Sequence, residues 1–351
     1  ACGSSSEREN GGTDTLEPDA SKPVEGQVLT LPAFTPPEKN AIVGRIVTRG
    51  GIGIEGAIAS IDGNRSGVSN YDGFYFIADV PPTERIVVRF AKPGFVPTTR
   101  TSGLFQDGRV TVNAVLAQQG AGRPLTDSGD TPVVVDRGTV ALKKDAVVGQ
   151  NGNPVTGNVH LRVTPVDIHT RDVAAAPGDF SATNALGTTV QLETFAIADY
   201  QLTDDDGNVL QIQDGKKAKI EMLLPPDTTL QVGDEVPAWY FDATSGRWIE
   251  EGKGKVKEYS QDSSRLAFEA DVGHFSTWNC DQEMETTCVQ GQVRLCDGTP
   301  AAGADLMAQG VDYDGTSNTI GSGDGRFCIN ARKGSTITLA AAHGYGANRL
   351  V

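Results

Sequence analysis

The sequence predicts an all-β protein of tandem small β-sandwich domains around a larger middle β domain, and three observations predict it. A two-part signature recurs: VGRIVTRGGIGIEGAIASIDG then GVSNYDGFYFIADVPP from Val43, and VQGQVRLCDGTPAAGADLMAQG then TIGSGDGRFCINARKG from Val289. Each copy has a short apolar strand, a Gly-rich turn, an alternating strand and an Asp-Gly turn, at Asp72-Gly73 and at Asp324-Gly325. Elsewhere apolar residues recur at every second position in short runs, and no long amphipathic helical pattern occurs. The 42 glycines and 18 prolines punctuate these runs, and 351 residues give room for about two to four domains of this kind.

Residues 1–40 read as a polar tether and linker, with one short apolar segment of strand character in VEGQVLTLPAF. Residues 41–120 form the first unit, with about seven short strands. Arg85–Phe90 alternates as a strand with one solvated face, Ala91-Lys92-Pro93-Gly94-Phe95 is a turn, and Val110–Leu116 is the closing strand. Phe74 and Phe76 share one face of the strand after the first Asp-Gly turn, matched by Phe327 and Ile329 in the second copy. AQQGAGRPLTDSGDTP is a linker. Residues 132–283 form the middle unit, in which Val159, Leu161 and Val163 share one strand face and Asp206-Gly207-Asn208 is a hairpin turn. Residues 284–351 form the last unit, shorter than the first, which fits a short terminal variant or a domain continued beyond Val351.

A net charge of −15 and a pI near 4.7 exclude nucleic acid and anionic membrane surfaces as natural partners. No apolar run reaches transmembrane length. Cys2 stands alone near the start, and ACGSSSERENGG resembles the mature end of a bacterial lipoprotein, with Cys2 carrying the lipid and Ala1 belonging to the signal peptide. The plainer alternative is a free thiol in a disordered secreted tail. Membrane contact is expected only through that lipid.

The other four cysteines, Cys280, Cys288, Cys296 and Cys328, fall in the last quarter, and four cysteines allow three pairings. Cys280–Cys288 would staple the junction into the last unit, and Cys296–Cys328 would tie that unit's first strand or turn to the strand after its Asp-Gly turn. An oxidising compartment fits this usage. Zinc is the competing reading, but no Cys-x-x-Cys pair occurs. The location expected is a bacterial outer membrane or cell surface, lipid-anchored, or a secreted or periplasmic one.

The GRIV start, the GAIASI strand and YDGFYFIADVPP resemble the carboxypeptidase regulatory-like domain, a transthyretin-like β-sandwich. That resemblance implies a domain that accompanies others and carries no catalysis itself; no His-x-x-Glu metal pair occurs. In the middle unit GNPVTGNVHLRVTPVD, WYFDATSGRWIEEG and VGHFSTWNCD resemble bacterial relatives of extracellular domains in cartilage intermediate layer protein and the FAM171 family. The region is also similar to ZU5 modules, β-sandwiches found next to interaction domains.

His274-Phe275-Ser276 carries the one mechanistic possibility. Several ZU5-related domains cleave themselves at His-Phe-Ser. His274 would take the proton of Ser276, whose hydroxyl would attack the Phe275 carbonyl, with backbone strain lowering the barrier. The plain alternative is a structural strand. Trp239, Trp248 and Trp278 all sit in the middle unit, with Trp239 and Trp248 facing each other across a hairpin at Ser245-Gly246. They read as core aromatics or, alternatively, as a carbohydrate-stacking platform. Asp204, Asp206 and Asn208 are weak calcium candidates, and Asp312-x-Asp314-Gly315 weaker ones. No Glu stands at the twelfth position of a calcium loop, where Gly215 falls. His160, His169 and His343 lack ligand spacing and read as structural. Asp242, Glu250 and Glu251 read as a solvated hairpin rather than a glycosidase pair.

No nucleophile elbow, Walker loop or dinucleotide fingerprint occurs, so no cofactor and no enzyme activity are expected. The expected function is a non-catalytic surface scaffold or adhesion protein with other cell-surface or extracellular proteins as partners. The alternatives are self-cleavage at Phe275–Ser276 and a carbohydrate-binding surface protein with a polysaccharide partner.

Overall fold

The computed structural model describes residues 34–61, 64–125 and 131–343. Cys2 and the VLTL segment lie outside these residues. Strands dominate, with two short 3-10 turns at Lys144–Ala146 and Arg171–Ala175, so the all-β, multidomain expectation holds.

The first unit is two four-stranded sheets face to face. One carries Ala41–Thr48 at its centre, antiparallel to Phe74–Ile77 and parallel to Arg109–Thr111 and Ala114–Leu116. The other runs Arg65–Val68, Ile58–Ile61, Thr83–Ala91, Thr98–Leu104. The closing strand expected over Val110–Leu116 is thus two short strands. Val112 N–H still donates to Val43 O (2.8 Å), but the Arg45 N–H goes to the Asn113 side chain (3.0 Å). That side chain substitutes for one ladder bond and breaks the run. Ile42, Ile46, Tyr75, Ile77, Val110 and Leu116 meet between the sheets with no exposure above 1%.

The middle unit holds a 13-stranded hydrogen-bonded network. Its backbone is the long strand Thr189–Thr203, paired with His160–Val166 on one side and Thr277–Met284 on the other. Val159, Leu161 and Val163 point into the core, as their alternation predicts. The linker before this unit is partly built in: Arg123–Pro124 pairs with His160–Leu161, and Leu125 is buried.

The turn region of the last unit matches that of the first in three main-chain hydrogen bonds. Ile46 N donates to Gly73 O and Val293 N to Gly325 O, both at 2.8 Å. Ile54 N donates to Ile46 O (3.0 Å) and Ala301 N to Val293 O (2.9 Å); Gly56 N donates to Ser69 O (2.8 Å) and Gly303 N to Gly321 O (3.0 Å). This alignment corrects the sequence match by one residue. Tyr75 and Ile77 correspond to Phe327 and Ile329, and they, not Phe74 and Phe76, face the core. Phe74 and Phe76 instead receive the Phe34 ring on the outer face, at 6.5 and 5.4 Å between centroids.

The cysteine pairings are also corrected. Cys288 and Cys328 form a disulfide, with Cα atoms 5.5 Å apart. They lie diagonally across the paired strands Thr286–Gln292 and Arg326–Arg332. Cys296 therefore does not pair with Cys328. Cys280 is a free thiol, fully buried in the middle core opposite Ala196 and Ala238. Burial raises its thiol pKa, with Asp281 adding to the shift. We expect Cys280 to resist alkylation in the native chain and to react only on unfolding, checked by mass after iodoacetamide. Replacing Cys288 and Cys328 together by serine is expected to lower the stability of the last unit by about 2–4 kcal/mol, checked by denaturant melts with and without reductant.

Candidate functional site

Three sequence candidates resolve into structure. Trp239 and Trp248 are 0% exposed and Trp278 is 1%, so the tryptophans form no sugar platform. The hairpin register sets Trp248 opposite Phe241 and Glu250 opposite Trp239. Trp248 packs on Phe180 and Phe241, and Trp239 donates its Nε1–H to Asp281 O (3.1 Å). Burial also holds the Asp281 carboxyl well above the usual carboxylate range.

His274, Phe275 and Ser276 lie in the bend before Thr277–Met284. The His274 ring is set edge-on to Tyr240 at 4.6 Å and beside Trp278 at 5.1 Å. Its Nε2 faces Glu251 at 3.4 Å. The Ser276 hydroxyl donates to Thr277 O (3.4 Å). Among the described residues no hydrogen bond joins His274 to Ser276, and Phe275 has no positive φ. The proton transfer from Ser276 to His274 that self-cleavage needs is therefore not set up in this arrangement.

Asp204 spends its oxygens on its own turn. Oδ1 accepts from Asp206 N (3.0 Å) and Asn208 N (2.8 Å), and Oδ2 from Asn208 Nδ2 (2.9 Å). Asp205 faces His160 at 2.7 Å. Asp312 accepts from Thr336 N (3.0 Å). This is an Asx-closed hairpin, not a cation cage. His169 lies between Asp227 (3.5 Å, Nε2) and Asp314 (3.4 Å, Nδ1), on opposite ring nitrogens that cannot converge on one ion. Among the described residues no group of three or more His, Cys, Asp or Glu could hold a metal ion. Asp242 accepts from Thr244 and Ser245 N–H at the hairpin turn, and Glu250 accepts from Ala185 N (2.7 Å).

The most heavily built polar site joins all three units. Four arginines of the first unit donate to main-chain carbonyls of the middle one. Arg49 reaches Pro165 O (2.6 Å) and Asp172 (3.4 Å). Arg85 reaches Ser245 O and Gly246 O, both at 3.2 Å, and Arg89 reaches Ala243 O (3.0 Å). Arg100 makes the fullest set of bonds. Its guanidinium donates to Ala176 O (2.7 Å), Thr99 O (3.0 Å) and Ala174 O. It thereby caps the carbonyls at the end of the Arg171–Ala175 turn, which a short helix leaves without partners. Burial lowers its pKa to about 10, against the pull of Asp305 and Asp179.

Asp305 belongs to the last unit and accepts from Asn113 Nδ2 of the first (3.3 Å). Thr111 N donates to Gly303 O (2.9 Å), and a Cβ on Gly303 would lie 2.2 Å from Arg109 O, so only glycine allows this approach. The middle and last units meet through Arg332–Glu193 (2.8 Å) and Thr194 N to Asp314 O (2.5 Å). Sequence reasoning missed this junction. Arg100 sits in TTRTSGL, which reads as an ordinary half-solvated strand, and only the packing of a second unit gives its guanidinium these partners.

With the geometry in place, comparison with known proteins adds the following. The family model described as FAM171A1/A2/B, N-terminal, matches residues 165–278, within the middle unit. The middle unit is thus related in sequence to that region. Mouse (Mus musculus) cartilage intermediate layer protein 2 is 28% identical over 204 residues, 53% of this chain. The match spans only 17% of that protein's length. Among solved structures, the TIE protein of Bacillus anthracis aligns over 87% of this chain and 45% of its own, at 10% identity and TM-score 0.21. A membrane-associated protein of Bacteroides fragilis aligns over 70% of this chain and 99% of its own, at 10% identity and TM-score 0.21. The major pilin subunit of Bacillus cereus aligns over 87% and 88%, at 10% identity and TM-score 0.20. Overlaps this loose carry no functional argument.

Proposed function

We propose that the chain is a non-catalytic extracellular scaffold or adhesion protein whose three β units act as one stiff body. The first and last units are of the carboxypeptidase regulatory-like type and the middle one is ZU5-like. The observation that carries the reading is the Arg100 junction: a guanidinium of the first unit bonds carbonyls of the middle unit in a part-buried polar cluster, with a carboxyl of the last unit near enough to act on it electrostatically. Linked domains that move freely have no use for such a cluster, since relative motion would strand its polar groups. The disulfide suits an oxidising, extracellular or periplasmic location, and no helix among the described residues is long and apolar enough to cross a membrane. A lipid on Cys2 would hold this body at a bacterial surface, with other surface or extracellular proteins as partners.

Scanning calorimetry tests the stiffness. One unfolding transition is expected, and three independent ones would sink the reading. Intact mass tests the absence of self-processing. A single polypeptide is expected after reduction and unfolding, and fragments ending at Phe275 and starting at Ser276 would restore the self-cleavage alternative.

A further inference from the structure

Among the described residues His169 is the histidine with a carboxylate against each ring nitrogen, and the two carboxylates belong to different units. Its Nε2 lies 3.5 Å from Asp227 of the middle unit and its Nδ1 3.4 Å from Asp314 of the last. An ionised carboxylate only accepts hydrogen bonds, and a neutral imidazole donates from one nitrogen alone. Only the imidazolium can donate on both sides. In the neutral form one ring lone pair points at a carboxylate oxygen, and Asp227 and Asp314 are left with their mutual repulsion.

The contact that this histidine serves is thinly packed. Asp314 lies in the hairpin turn between Asp305–Gly310 and Thr316–Ile320. That turn meets the middle unit across a cavity of about 190 Å³, with Ile168, Val173 and Phe180 on one side and Val311 and Tyr313 on the other. Polar contacts therefore hold the turn down. Where the register of Thr189–Thr203 shifts between Thr194 and Ala196, the Thr194 N–H donates to Asp314 O (2.5 Å). The other charged and titratable groups around His169 are engaged elsewhere. Asp167 pairs with Arg137 (3.0 Å), Asp172 with Arg49 (3.4 Å) and Glu193 with Arg332 (2.8 Å). Asp312 accepts from Thr336 N (3.0 Å), the Tyr313 hydroxyl accepts from Arg332 N (3.3 Å), and Arg171 is exposed.

We propose that His169 is a pH-operated clasp between the middle and last units. Protonated, it bridges Asp227 and Asp314 and holds the turn against Thr194. Neutral, it leaves two like charges face to face, and the turn lifts over the cavity. An imidazole changes charge between about pH 5 and pH 8, so the hold is fully present below that range and is lost as pH rises through it. Acid also weakens the clasp at its lower end. Burial raises the Asp314 carboxyl pKa, against the pull of His169 and with Asp227 adding to the rise, and a protonated Asp314 no longer attracts the imidazolium. The hold is therefore greatest between the two ranges. The Arg100 junction and the Arg332–Glu193 pair stay in place when the clasp opens, so the three units remain together. Failure of this proposal leaves the calorimetric test of the stiff body untouched, and the reverse also holds.

The test reads hydrogen exchange at the Thr194 amide of the 351-residue chain, as protection relative to the unstructured rate at each pH. Protection is expected to fall about 3–10-fold between pH 5.5 and pH 8, the scale of two part-exposed ion pairs. His169→Gln keeps a neutral hydrogen-bonding side chain and is expected to hold protection near the parent's pH 8 value throughout. Asp227→Asn separates attraction from repulsion. It is expected to lower protection at pH 5.5, where a bridge is lost, and to raise it at pH 8, where a like charge is lost. A histidine with a packing role alone predicts neither change. In about 1 M NaCl, where the Debye length is about 3 Å, the pH dependence of the parent is expected to shrink.

Three results would overturn the proposal. Equal protection of Thr194 at both pH values in the parent would mean that the turn does not sense the charge. A pH dependence kept in full by His169→Gln would place the sensing group elsewhere, with Asp199 and Asp305 the first to be tested. A fall shared by core amides of the middle unit, such as those of Leu202 and Trp278, would be a global loss of stability and not the release of one turn.

Discussion

Replacing Arg100 with methionine is expected to destabilise the chain by about 2–4 kcal/mol and to split its unfolding into separate transitions. Methionine keeps the length of the apolar stem, so little packing is lost. What disappears is the fork of donors. Ala174 O, Ala176 O and Thr99 O lose their Arg100 partner in a part-buried junction, at about 1 kcal/mol for each bond. Asp305 also loses the neighbouring charge that favours its ionised form. Lysine at this position keeps the charge but cannot reach three carbonyls in one plane, so Arg100→Lys is expected to recover only part of the loss. Arg326→Met is the control: Arg326 pairs with Asp324 at the surface, and such a pair contributes about 0–1 kcal/mol. Calorimetry of the three variants decides. Equal small effects from Arg100→Met and Arg326→Met would show that the junction does not hold the units together.

The contrast between what the sequence discloses and what it hides has a physical basis. The turn chemistry that defines the repeat is local: Asp-Gly pairs and Gly-rich turns report a backbone conformation at the residue itself, and Gly73 and Gly325 do adopt positive φ. Alternation likewise announced the buried face of Val159, Leu161 and Val163. Phase across a turn is harder to read. Phe74-Tyr75-Phe76-Ile77 is apolar on both faces, so only the hydrogen-bond register shows that Tyr75 and Ile77 go inward. The cysteine pairing depends on which strands lie side by side, which four cysteines in one quarter of the chain cannot specify. Arg100, Asn113 and Asp305 come together over about 200 positions of sequence separation, and each reads alone as an ordinary strand residue. The linker strand Arg123–Pro124 was hidden for a similar reason: its partner, His160–Leu161, belongs to the next unit.

Acid is expected to stabilise this protein between about pH 7 and pH 4, against the usual trend. Asp199 and Asp305 both have pKa values raised to about 6, chiefly by burial. The Thr277 hydroxyl donating to Asp199 (3.0 Å) and the Asn113 amide and Arg100 beside Asp305 offset that only in part. Unfolded, each titrates near its model value of 3.8. Between those two values the folded chain binds more protons than the unfolded one, so stability falls as pH rises from about 4 to about 6 and then levels. Each carboxyl accounts for about 2–3 kcal/mol of that fall.

The turn aspartates Asp204, Asp262, Asp297 and Asp324 have lowered pKa values, held down first by side-chain hydrogen bonds. They act oppositely, losing their contribution as pH drops through their folded values, so the stability maximum is expected near pH 4–5. Asp199→Asn separates the causes. The amide oxygen still accepts from Thr277 but carries no charge to desolvate, so the variant is expected to gain about 2–3 kcal/mol at pH 7.5 and almost nothing at pH 4.5. Asp305→Asn is expected to flatten the pH profile without that gain, because it removes the carboxylate whose charge acts favourably on Arg100. Urea melts of the parent and both variants at the two pH values measure this directly. A parent more stable at pH 7.5 than at pH 4.5, or an Asp199→Asn variant with the parent's slope, would mean that these carboxyls ionise in the folded chain at little cost.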